Sequence, residues 1–194
     1  MEEYDPDLDQ LLFYLPLAGS AFKKVYYDGT IGRAVSKFVP AEDLIIPYYA
    51  TDLDSCERIT HSVKMMGNDL RKQQVSGFYR DIDIMKPKEE KSEVGQKYDE
   101  LEGRVDDYQN NMTVTLLEFH VNLDIVGFED LNAQTREPTG IRLPYIVTVE
   151  EQSNEILSIY RNWKQGDLSH AKKQYFVHYK FLPGLGFYGF GLIH

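Results

Sequence analysis

Phe22-Lys23-Lys24-Val25-Tyr26-Tyr27-Asp28-Gly29-Thr30-Ile31-Gly32-Arg33-Ala34-Val35-Ser36-Lys37-Phe38-Val39-Pro40 reads as two strands around a turn. Asp-Gly between runs of β-branched and aromatic residues is a strong hairpin signal, because those turn positions require positive φ. Pro40 lacks an N–H and closes the second strand. The same grammar recurs along the chain. Asp43 to Ile46 is a short buried strand ended by Pro47, Tyr48 to Glu57 is a loop, and Arg58 to Met65 is another strand. Ile141 to Val149 and Ile156 to Trp163 form a second hairpin across residues 150–155, with Pro144 placing the first of them at a sheet edge.

Two helices flank this material. Leu8, Leu11, Leu12 and Leu15 recur at helical spacing after Asp7, a candidate N-cap, and Pro16 disturbs or ends the run. The small residues Ala18-Gly19-Ser20-Ala21 that follow allow close backbone approach. Asn68 is the candidate N-cap of a second helix reaching about Tyr79, in which Leu70, Val75 and Phe78 are only loosely periodic. The expected class is therefore α+β: a mixed, mostly antiparallel sheet of hairpins with two or three packed helices, in a single domain over residues 1–194.

An acidic insertion interrupts that domain at about 81–111. It holds ten acidic and five basic residues, a net −5 out of the chain's −10. Val94, Tyr98, Leu101 and Val105 keep helical spacing within it, so a short docked helix is expected after Ser92. A solvated surface insertion is the plainer reading, and an acidic protein-interaction adaptor the alternative. The overall acidity argues against wrapping nucleic acid, which requires clustered Lys and Arg. A single cysteine, Cys56, excludes an internal disulfide and a multi-thiolate metal site, and neighbouring carboxylates hold its thiol unreactive. An intracellular setting is expected on that cysteine usage. The N-terminus is no signal peptide, and the longest apolar run, Phe181 to Ile193, is too short for a membrane span of about 20 residues.

Thr113 to Asp124 alternates strictly. Thr115, Leu117, Phe119, Val121 and Leu123 form the expected core face, leaving Glu118, His120, Asn122 and Asp124 on a polar face turned to solvent or a subunit. His120 and Asp124 lie roughly 13 Å apart along such a strand, too far to share a metal ion. Gly127 to Gly140 reads as a polar loop. Arg161, Lys164, Lys172, Lys173 and Lys180 form a mild basic patch, read as ordinary strand-face charge.

The last stretch, Gln174-Tyr175-Phe176-Val177-His178-Tyr179-Lys180-Phe181-Leu182-Pro183-Gly184-Leu185-Gly186-Phe187-Tyr188-Gly189-Phe190-Gly191-Leu192-Ile193-His194, starts as a strand with Tyr175, Val177, Tyr179 and Phe181 on one face. It then alternates glycine with large apolar residues. Gly184-x-Gly186-x-x-Gly189 fits a dinucleotide fingerprint, which opens the alternative of a nucleotide-binding enzyme fragment. Phe187 and Tyr188 fill the positions where backbone must approach a pyrophosphate, and no second βαβ unit precedes it. A packed structural junction over 182–194 is expected instead, formed by Phe181, Pro183, Gly184, Gly186, Phe187, Tyr188, Gly189, Phe190 and Gly191. Its glycines would let aromatics interdigitate, and in isolation it is expected to be the least native-like part of the chain. No catalytic, cofactor or metal residue is assigned.

Asp7-Leu-Asp-Gln-Leu-Leu-Phe-Tyr-Leu-Pro-Leu-Ala-Gly-Ser-Ala-Phe-Lys-Lys-Val-Tyr-Tyr-Asp28 resembles the portal, or head-to-tail connector, proteins of short-tailed double-stranded-DNA bacteriophages and prophages. So do residues 37–45 (Lys-Phe-Val-Pro-Ala-Glu-Asp-Leu-Ile), 77–83 (Gly-Phe-Tyr-Arg-Asp-Ile-Asp) and 174–194, in that order. The resemblance spans nearly all of the chain outside the acidic segment. It implies a non-enzymatic piece of the wing region of a longer protein, with residues 182–194 leading toward a helical stem. The partners it implies are other portal subunits in a dodecameric ring, capsid or scaffolding protein, terminase and tail or head-completion proteins. DNA is translocated cargo, no membrane is involved, and the implied location is the virion's capsid vertex, with the host cytoplasm during assembly.

Overall fold

The computed structural model describes residues 4–29, 31–84, 113–132 and 134–192, so most of the acidic insertion, including the helix expected after Ser92, lies outside the described residues. The fold is α+β, with mostly antiparallel strands in two sheets. Helix α1 (Tyr4–Ala18) leads into β1 (Ser20–Asp28) and β2 (Arg33–Pro40), and a 3-10 turn leads to β3 (Leu44–Ile45). Strand β4 (Arg58–Met66) runs into α2 (Gly67–Val75), and β5 (Thr113–Leu123), β6 (Leu143–Glu150), β7 (Ile156–Arg161) and β8 (Phe176–Lys180) complete the order. The expected hairpin forms, with Phe22 opposite Val39 and Asp28 opposite Arg33. Strand β8 adds antiparallel to the other side of β1, with Phe22 opposite His178. The second sheet is ordered β3-β4-β5-β6-β7.

Two compact units share the chain. The first comprises Met1–Ser62, Glu118–Ile146 and Tyr160–His194; the second comprises Val63–Leu117 and Val147–Ile159. In the first, Phe22, Leu44, Ile59, Phe176 and Phe187 are the heart of the core, joined by Leu53 and Cys56 from the 48–57 loop. In the second, Leu70, Tyr79, Val114, Leu116 and Leu157 pack together, with Ile82 and Ile84 against them. Those two isoleucines are the described start of the acidic stretch.

Local chemistry moves several boundaries. Helix α1 begins at Tyr4 and continues through Pro16 to Ala18, because a proline in the last turn forfeits one bond without ending the helix. Gly19 ends it, at φ +78 with its N–H on Leu15 O at 2.9 Å, the left-handed cap that glycine supplies cheaply. Asp7 is therefore inside the helix. Its carboxylate accepts the Phe38 N–H at 2.8 Å, satisfying a donor of the edge strand β2. Helix α2 begins at Gly67, with Met66 rather than Asn68 at the N-cap position, and stops at Val75, and Gly77 turns the chain at φ +76. Gln74, buried in the second unit, donates to Ile82 O at 2.9 Å and Arg80 O at 3.3 Å, so a side chain holds the irregular 80–84 segment in place of helix. Pro144 does not mark an edge: β6 lies between β5 and β7, and the proline is near the strand's start, where its carbonyl accepts Asn162 N–H at 2.9 Å.

Strand β5 buries the face opposite to the one expected. In β5 the enclosed residues are Val114, Leu116 and His120, with Glu118 largely enclosed between them, while Leu117, Phe119 and Val121 are only half-buried. In β8 Phe176 is buried and Val177 and Tyr179 are exposed. A strand's alternation defines two faces, and packing partners choose which one is covered. Here the partners include a cation able to neutralise Glu118.

Candidate functional site

The residues expected at a junction form a closed loop seated on the start of β1. Beyond β8, the Phe181 N–H reaches Gly19 O at 3.0 Å, and Leu182 and Phe190 exchange bonds of 3.3 and 2.8 Å. Gly189 N–H donates to the buried Ser20 hydroxyl at 2.8 Å. Leu192 N–H caps Pro16 O at 2.8 Å, satisfying one of the carbonyls that every helix C-terminus leaves open. The segment is thus bonded to α1, to β1 and to itself.

Its glycines have distinct roles. A Cβ on Gly189 would lie 2.5 Å from Gly19 O and 2.7 Å from Leu182 O, and one on Gly191 would collide with the Leu17 carbonyl. Gly184 faces the Tyr188 carbonyl in the same way, whereas Gly186 has open space. The close approach is thus to backbone, at the small-residue corner Gly19-Ser20, and not the interdigitation of aromatics that the sequence implied. Gly189 and Gly191 are buried; Phe190 between them is 42% exposed, Tyr188 is 44% exposed with its hydroxyl donating to Leu44 O at 3.4 Å, and Leu192 is 67% exposed. Phe181 and Pro183 are also exposed. Phe187 is buried. It stacks on His178 at 4.6 Å and on Phe22 at 6.0 Å, and His178 in turn stacks on Phe22 at 4.5 Å. Among the described residues, 184–189 lead into the Leu182–Phe190 bridge rather than a helix, and the Gly189 amide that a phosphate would need is already engaged by Ser20.

Behind this segment lies a buried charged cluster. Lys24 Nζ donates to both oxygens of Glu118 at 2.7 Å, and His120 Nε2 lies 2.6 Å from Glu118 Oε1. An ionised carboxylate only accepts, so Nε2 carries the proton. His120 is 4% exposed, packed edge-on against Phe176 and Tyr175. Burial acts to raise the Glu118 carboxyl, but the His120 hydrogen bond and the Lys24 charge outweigh it and hold it well below the usual carboxylate range. His61, edge-on to Phe176, is lowered to about 4 by burial and then by the Lys24 charge. The sequence did not reveal this cluster, since its members come from three strands. The available signal was an acid and a histidine two residues apart on one strand face, opposite a hairpin rich in lysine.

The basic patch dissolves into separate structural roles. Lys172 Nζ donates to the carbonyls of Cys56, Leu53 and Asp54 at 3.0, 3.3 and 3.4 Å and pins the 51–57 loop. Cys56 is buried, with its thiol pushed up chiefly by burial and donating to Asp52 O at 3.0 Å. Lys172→Met removes the only side chain holding those three carbonyls and is expected to cost about 1–3 kcal/mol, read as a lowered urea midpoint.

Acid should destabilise the first unit in two stages. His61 and His178 are both lowered to about 4, chiefly by burial, against about 6.5 in an unfolded chain. Between those values the unfolded chain binds more protons than the native one, so stability falls as pH falls from about 6.5 to about 4. Glu118 contributes with the depressed-carboxylate sign: its stabilisation is present above about 4.5 and is lost below that. Thermal midpoints measured from pH 8 to pH 4 should decline throughout the lower half, with a shallower slope in His61→Leu.

Among the described residues no group of His, Cys, Asp and Glu is arranged to hold a metal ion, and no helix is long and apolar enough to cross a membrane. No protein-family model and no curated protein matches the chain.

Proposed function

We propose that the chain is a structural assembly module of a bacteriophage portal, part of its wing region, and that it performs no catalysis. The observation that carries this is the ordered resemblance of residues 7–28, 37–45, 77–83 and 174–194 to that family. The first and last of those stretches are also the ones that pack together, through Gly19, Ser20, Gly189 and Gly191. They hold a backbone-locked ridge on which Tyr188 and Phe190 are partly exposed and Leu192 is largely exposed. Large apolar side chains on a rigid support suit contact with a neighbouring protein rather than solvent. The proposed partners are other portal subunits in a ring, together with capsid or scaffolding protein, terminase and tail proteins; DNA would pass as cargo. The chain's net charge of −10 fits a part that must not adhere to that DNA.

Electron microscopy of the full reading frame that contains these residues tests the proposal. Ring-shaped particles are expected. Leu192→Asp, at a side chain 67% exposed, should abolish them while moving the unfolding free energy by no more than about 0.5 kcal/mol, as for surface substitutions. A uniformly monomeric product from the unmodified frame would overturn the proposal.

A further inference from the structure

The first unit also contains a cavity of about 420 Å³ that neither the glycine segment nor the charged cluster uses. Phe128, Tyr145 and Trp163 wall it, and Arg161, Glu129, Asp130 and His170 stand around it. Buried Asn162 sets the geometry: its N–H bonds Pro144 O at 2.9 Å, and it exchanges bonds with Lys173, from Lys173 N–H at 3.0 Å and to Lys173 O at 3.2 Å. That grip fixes the residues on either side, Arg161 and Trp163. Trp163 then meets Tyr145 and His170 edge-on at 5.5 and 5.1 Å.

The charges around the cavity are unequally satisfied. Glu129 accepts the Gly127 N–H at 2.8 Å, and backbone hydrogen bonds hold its carboxyl below the usual range. Asp130 Oδ2 accepts the Thr139 hydroxyl at 2.7 Å, and its Oδ1 is 3.7 Å from His170 Nδ1. Arg161 touches only rings, with its guanidinium 5.6 Å from Trp163 and 5.9 Å from Phe128. Among the described residues no carboxylate or carbonyl accepts from it. A guanidinium stacked on aromatics and open on its edge is complementary to a carboxylate, which it can bind with two parallel hydrogen bonds. Beside it the Phe128 ring is 58% exposed at the cavity mouth.

We propose that this cavity recognises a protein partner through an aromatic side chain preceded by a carboxylate residue, the ring packing on Phe128 and Trp163 and the carboxylate pairing with Arg161. A nucleotide offers the same two elements, a ring and an anion. It would bring more than one negative charge toward Glu129 and Asp130, which disfavours it against a singly charged peptide. Nothing in this inference depends on the portal assignment.

Trp163 is the only tryptophan, so its emission reports on the cavity alone. The probes are N-acetyl-Asp-Phe amide, N-acetyl-Lys-Phe amide and adenosine monophosphate, titrated against the intact chain. The acidic peptide should give a saturable change, at an affinity about tenfold tighter than the lysine peptide, which is about 1.4 kcal/mol. Arg161→Met should remove that preference, and Phe128→Ala should weaken both peptides, with unfolding midpoints close to the unmodified chain's. Equal affinity for the two peptides, no saturable change with either, tighter binding of the nucleotide, or an unaltered preference in Arg161→Met would each overturn it.

Discussion

Glu118→Ala is expected to cost about 3–5 kcal/mol, because it strands the buried Lys24 ammonium and removes the acceptor of His120. For a chain of this length that corresponds to a fall of roughly 10 °C in the thermal midpoint. The magnitude follows from burial, since the Lys24 and Glu118 side chains are only 14% and 18% exposed. An exposed pair of the same geometry would contribute about 0–1 kcal/mol. Lys24→Met combined with Glu118→Leu should recover much of the loss, since an apolar pair leaves no uncompensated charge behind. The double variant must then fall well short of the sum of the two single losses, the signature of coupled neighbours. A single-variant loss under about 1 kcal/mol would mean that water reaches the pair and that the cluster is not a core element.

Gly19→Ala is the second large effect. The residue sits at φ +78, which costs an L side chain about 1–2 kcal/mol. Its Cβ would also meet Gly191 N and Phe190 C, each at 2.5 Å, and crowd the Gly189 carbonyl. Overpacking against atoms that cannot yield adds about 1–3 kcal/mol, so a total near or above 3 kcal/mol is expected. Gly186→Ala is the internal control: no atom lies within 4 Å of the added methyl, and reduced freedom of the unfolded chain gives a gain of up to about 1 kcal/mol if the backbone tolerates alanine. Urea denaturation separates them. Equal effects from the two substitutions would show that residues 181–192 do not rest on Gly19.

The fold class was legible in the sequence because its strongest signals are local. Asp28-Gly29 and Pro40 mark the turn and the end of the hairpin that β1 and β2 form, although Asp28 ends β1 opposite Arg33, and Gly32 at φ +65, rather than Gly29, takes the left-handed turn position. What escaped is whatever depends on partners far along the chain. The alternation in Thr113–Leu123 identifies a strand and its two faces, but the buried face was set by Lys24, which is distant in sequence from Glu118. The rule that apolar residues go inside therefore chose the wrong face. Asp7 likewise has the chemistry of a helix cap, and the edge strand claimed its carboxylate through Phe38. At the glycine run the sequence located the close approach and named one side of it, the small residues at Ala18–Ala21. It could not say that Gly184, Gly189 and Gly191 each face a backbone carbonyl, because that depends on the Leu182–Phe190 bridge. The Arg161–Trp163 cavity had no sequence signal beyond an alternating strand end.

Everything proposed for the glycine segment rests on residues 181–192 being held to α1 and β1, so that Tyr188, Phe190 and Leu192 stand on a fixed support. Amide hydrogen exchange on the isolated chain measures this residue by residue. The Gly189, Phe190 and Leu192 amides, bonded to Ser20 Oγ, Leu182 O and Pro16 O, should exchange at least about a hundredfold more slowly than Leu185 and Gly186, which none of these bonds reaches. Uniformly fast exchange from Leu182 to Leu192 would contradict the account, since a segment that opens freely can neither cap the helix nor present a surface.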